Sequence, residues 1–117
     1  MKTLFLFLMI MPLLAGSMTP REFSDALIRS ERMLIEEVTT TESGLEQVEA
    51  RPPSYYDVEL LVAATDELLK TVEKYEFIEY WRRSENSNSY STIIDIADNI
   101  ILILYNTRTN RIFFLFK

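Results

Sequence analysis

Residues 99–117 read "NIILILYNTRTNRIFFLFK", two apolar runs, Ile100–Tyr105 and Ile112–Phe116, around the polar break Asn106–Asn110. The runs are six and five residues long, far below the roughly 20 residues of a helical membrane span. Their isoleucines and aromatics, separated by turn-forming asparagine and threonine, predict a β-hairpin. A half-solvated antiparallel strand alternates apolar with polar side chains, and these two strands do not. Ile100, Leu102 and Leu104 would point one way and Ile101, Ile103 and Tyr105 the other; Phe113 and Leu115 oppose Ile112, Phe114 and Phe116 in the same manner. Both faces of the sheet are therefore apolar, and the face left bare by the rest of the chain is the predicted binding surface.

Upstream of the hairpin, "YSTIIDIA" predicts a strand over about 90–97, with Asp98-Asn99 as the turn that follows it. "SENSNS" is a turn, and the aromatic-rich stretch before it predicts a strand over about 77–83. With strands at about 100–105 and 111–116, the C-terminal half reads as a four-stranded antiparallel meander. Two helices are predicted before it. The first runs from about 20 to 38: Thr19, Pro20 and Glu22 make a capping box, and Phe23, Leu27, Leu34 and Val38 share a face. The second runs from about 55 to 74, capped by Ser54 with Asp57 three residues on, with Leu61, Ala64, Leu68, Val72 and Tyr75 as its stripe. The threonine, glycine and proline content of 39–54 predicts a long connecting loop. The predicted fold class is α+β: two N-terminal helices followed by a four-stranded antiparallel meander, in one domain over 18–117.

The first residues, "MKTLFLFLMIMPLLAGSM", have the grammar of a secretory signal peptide: Lys2, an apolar run from Leu4 to Leu14, then the small residues Ala15, Gly16 and Ser17. Cleavage is expected after Ser17. Leu14-Ala15-Gly16 resembles the box preceding the lipidated cysteine of bacterial lipoproteins, but Ser17 occupies the thiol position and a hydroxyl cannot form the thioether. The expectation is a secreted or periplasmic protein with no stable membrane anchor after cleavage. The absence of cysteine excludes disulfide scaffolds and zinc–thiolate sites. It also tilts the compartment towards a bacterial periplasm.

With neither histidine nor cysteine, the chain lacks the Ser-His-Asp and Cys-His arrangements and the usual general base. Two glycines, Gly16 and Gly44, cannot build a phosphate loop. No cofactor or metal is expected. Asp95, Asp98 and Asn99 form the best oxygen cluster, but their spacing does not match a calcium loop; an enzyme working through Asp95, Asp98 or Glu79 is a distant possibility. Tyr80, Trp81, Arg82 and Arg83 combine aromatic and basic side chains. A formal charge of −6 and the lack of any other basic stripe argue against nucleic acid. The acidity sits upstream: residues 18–83 hold fifteen acids against eight bases, residues 84–117 three of each. The expected function is a small non-enzymatic protein-binding module, acting as an inhibitor, an immunity-type protein or an assembly accessory. It would use Trp81, Arg82, Arg83, Tyr105, Phe113 and Leu115 against a protein partner or a second copy. The alternative is a carrier of a small apolar ligand held between helix two and the sheet.

Overall fold

Thr19 and Glu22 start the first helix by reciprocal capping. The Glu22 N–H donates to Thr19 Oγ1 at 3.1 Å, and the Thr19 N–H donates to Glu22 Oε1 at 2.9 Å. The protein is described here from a computed structural model, which covers residues 18–85 and 88–117. The apolar leader predicted over 1–17 lies outside the described residues. Helix α1 spans Pro20–Ser30 and buries Phe23, Leu27 and Ile28.

The helix predicted to reach Val38 stops eight residues earlier, and the physical cause is a Schellman turn. The Met33 N–H donates to Ile28 O (2.9 Å) and the Arg32 N–H to Arg29 O (3.3 Å), while Arg32 takes φ 56°. Glycine usually holds that left-handed position; here arginine does, so no glycine marks the stop. The chain reverses into strand β1, Leu34–Thr40. Leu34 and Val38, placed on the buried face of a helix by their spacing, are exposed.

The predicted loop over 39–54 is also overturned. It holds the end of β1 and strand β2, Glu46–Arg51, paired antiparallel from Thr40↔Glu46 to Leu34↔Arg51. Gly44, at φ 86°, lets the connecting turn close: the Thr41 N–H donates to Leu45 O at 2.8 Å, and the Leu45 N–H donates back to Thr41 Oγ1 at 3.0 Å.

Helix α2 spans Val58–Leu69, shorter at both ends than predicted. Its cap is Asp57, whose Oδ1 accepts from the Leu60 N–H at 2.9 Å. Tyr56 precedes this cap: its N–H donates to Pro53 O at 3.0 Å and its hydroxyl to Glu31 Oε1 at 2.7 Å. Tyr75, the last residue of the predicted helical stripe, begins strand β3, Tyr75–Arg83. Strands β4 (Ser89–Ile96), β5 (Asn99–Asn106) and β6 (Arg111–Phe116) follow. The two residues turning β4 into β5 are Ala97 and Asp98, at φ 51° and 68°, the backbone of a type I′ turn. Asn99 therefore opens β5 and does not belong to the turn.

The whole is one six-stranded antiparallel sheet in the order β1-β2-β6-β5-β4-β3. Two helices before a four-stranded meander is thus incorrect: the β1–β2 hairpin lies between the helices and joins the sheet along β6, with Val48↔Phe114 and Ala50↔Ile112 opposite each other. Helix α1 packs across β5 and β6, and α2 packs on α1. Both helices thereby cover the same face, called inner below. Ile94, Ile96, Ile101, Ile103, Tyr105, Ile112, Phe114 and Phe116 fill it and are at most 2% exposed.

A polar network ties the loop before α2 to this core. The Tyr105 hydroxyl lies 3.2 Å from Tyr56 O and 3.0 Å from Asn110 Oδ1, while Asn110 Nδ2 donates to Pro52 O at 3.0 Å. Burial, chiefly, pushes both tyrosine hydroxyls above their ordinary pKa, Tyr56 further because it also donates to the Glu31 carboxylate. These donors stay protonated.

Candidate functional site

Directly opposed residues of an antiparallel ladder share a face, so the strand pairings define the other side of the sheet row by row. One row runs Thr39–Gln47–Leu115–Leu102–Ile93–Glu79 from β1 to β3, and the next runs Glu37–Glu49–Phe113–Leu104–Ser91–Arg82. Beyond the first lie Ile100, Asp95 and Glu76; beyond the second, Arg111 and Asn106. The centre of this outer face is apolar, from Phe113 and Leu115 through Leu102 and Leu104 to Ile93, and Ile100 extends it at 53% exposure. The other five are half-buried.

The rim is charged on both sides. Near β1 and β2, Arg51 Nε meets Glu36 Oε1 at 2.7 Å, and Arg111 lies 3.4 Å from Glu49 and 3.9 Å from Glu36. Glu37 makes no ion pair among the described residues. At the β3 rim, Arg82 Nε stands 3.5 Å from Glu79 Oε1, with an exposed side chain. An open hollow of about 580 Å³ near the β3–β4 end is lined by Arg82, Arg83, Ser91 and Leu104 among others.

The candidates named from the sequence separate across the two faces. Phe113 and Leu115 lie on the outer face beside Leu104 and Leu102, and Arg82 reaches its rim. Tyr105 lies on the inner face, 1% exposed. Two irregularities in β3 decide the rest: Ile78 and Glu79 together oppose Ile93, and Tyr80 and Trp81 together oppose Thr92, whose hydroxyl donates to Glu79 O at 2.7 Å. Trp81 is thereby turned to the inner side, packed against the core with its indole N–H buried and unpartnered among the described residues. Arg83 pairs with Tyr90, also on the inner side. No family model, curated protein or solved structure matches this chain.

The carboxylates considered for catalysis do not converge. Asp95 sits on the outer face between Ile100 and Glu76, while Asp98 is held 3.1 Å from Lys74 Nζ in the exposed turn. Among the described residues no cluster of three acidic side chains is arranged to hold a metal ion, and no helix is long and apolar enough to cross a membrane. The rim residues Glu37, Glu49, Arg51 and Arg111 were not anticipated. Their trace in the sequence is the period-two alternation of Gln47, Glu49 and Arg51 with Val48 and Ala50.

Proposed function

We propose that this protein is a small secreted or periplasmic binding module, without catalytic activity, that recognises a protein through the outer face of its sheet. One observation carries the reading: Ile93, Ile100, Leu102, Leu104, Phe113 and Leu115 form a continuous apolar patch, and no described element lies over it. A patch of that kind with a charged rim has the anatomy of a protein interface, an apolar centre shed of water inside a polar border. Inhibition, immunity to an exported toxin and accessory roles in assembly all require only such a surface.

The carrier reading has less support. Leu61, Thr65 and Leu69, the α2 side chains turned inward, are at most 1% exposed. The hollow beside α2, about 460 Å³, opens on its far side between Leu60, Ala64, Leu68 and the end of α1.

The test is a photo-reactive side chain at Leu104, with a matched probe at the exposed Glu59 of α2 as control. Irradiation in the native host should yield a discrete protein adduct from position 104 and none from position 59. Absence of an adduct at 104 overturns the reading.

A further inference from the structure

We propose that the occupant of the outer face is a second copy of this chain, packed sheet to sheet about a two-fold axis parallel to the strands and midway between β5 and β6. The proposal rests on the reading of that face as a protein-binding surface and names its partner. Such an axis reverses the strand order while keeping the rows aligned, so β6 of one copy lies over β5 of the other, β2 over β4, and β1 over β3. Leu115 then meets Leu102, and Phe113 meets Leu104. On the outer strands Glu37, which makes no ion pair among the described residues of its own subunit, faces Arg82 of the second copy, and the pair occurs twice.

The match is a property of the rows and tolerates the rotation that packed sheets impose. Aligned sheets cross at about 30°, which displaces the outermost strands, about 12 Å from the axis, by roughly 6 Å. Arginine and glutamate span that offset with extended side chains. A two-fold axis perpendicular to the strands is less favourable, since it sets Arg111 towards Lys117, just past the end of β6, and leaves Glu37 opposite Thr39. Size is sufficient as well. Six strands about 4.8 Å apart, each six to nine residues long, present a projected face of roughly 650 Å². That is of the order of the about 800 Å² which each partner contributes to a standard interface.

The experiment is sedimentation equilibrium of the protein recovered from its host, alongside Arg82→Glu, Glu37→Arg and the double variant. Both positions are exposed, so folding is retained, and circular dichroism checks it. The wild type is expected to be a dimer. Each single reversal confronts like charges twice per dimer and weakens association about tenfold or more, and the double variant restores it. A monomeric wild type, a dimer indifferent to the single changes, or a double variant that fails to recover overturns the proposal. The Leu104 photoprobe separates this from the broader reading: an adduct of twice the chain mass supports the second copy. An adduct of any other mass overturns the second copy and leaves protein binding standing, and no adduct overturns both.

Discussion

Phe113 and Phe114 are neighbours in one strand, yet they belong to different environments. Phe114 is fully buried beneath α1 with Ile103 and Val48 beside it, whereas Phe113 stands on the outer face between Leu104 and Glu49. The same contrast holds along β5, where Ile101, Ile103 and Tyr105 are sealed and Ile100, Leu102 and Leu104 are not. Composition does not separate the two faces, since both are built of Ile, Leu and Phe. Coverage does. Apolar area already removed from water holds the fold together, and apolar area still in water is free energy available to association.

The sharpest way to break the comparison is to truncate both phenylalanines separately. Phe114→Ala leaves a cavity in a packed core and is expected to cost about 3–5 kcal/mol, which a domain of this size scarcely survives. Phe113→Ala should cost the isolated subunit about 1–2 kcal/mol, because only part of its ring is shielded. Urea unfolding at low protein concentration checks both values, and equal losses would erase the distinction between the faces.

A smaller effect is expected at the polar end of the inner face. Tyr105→Phe leaves Asn110 and the Tyr56 carbonyl without their shared donor, costing about 1–2 kcal/mol. The pH dependence follows from the raised pKa of both tyrosines. Above about pH 10 the unfolded chain releases protons that the folded chain retains, so stability is complete below that value and falls as pH rises beyond it. Thermal melts between pH 8 and 11 should show the decline, shallower in Tyr105→Phe.

Smaller still, and opposite in sign, is Arg32→Gly. It relieves a left-handed non-glycine residue at the end of α1 and should raise stability by about 1 kcal/mol. Because Arg32 lies off both faces of the sheet, association should not change. A loss of stability would mean that the turn is held by the arginine side chain.

The terminal hairpin was legible because its evidence is local: six and five apolar residues around asparagines admit few other structures. The cap at Thr19 was legible for the same reason. Leu34, Ile35 and Val38 were not, since their spacing satisfies a helical stripe as well as a strand, and the stop before them is an arginine in a conformation that glycine normally signals. Misplacing β1 concealed β2, although Gln47 to Arg51 alternates as a strand with one solvated face should. Of the outer face, the doubled apolar pattern was visible in Phe113 and Leu115. Its rim was not, because Glu37, Glu49 and Arg111 are brought to one side only through the β1–β2 and β2–β6 pairings, and Arg82 is set on the opposite side only by the irregularities of β3. Trp81 and Tyr105, both named as binding candidates, lie on the inner side. Aromatic character marks an anchor and a core residue alike, and only strand register tells which way each side chain points.

The account rests on the outer face being an association surface that the fold does not need. Sedimentation velocity of wild type and Leu104→Glu, with circular dichroism of both, addresses that claim most directly. The prediction is a folded wild type that sediments as an assembly and a folded variant that sediments as a monomer. Wild type and variant with the same sedimentation coefficient, or a variant that unfolds, would contradict it.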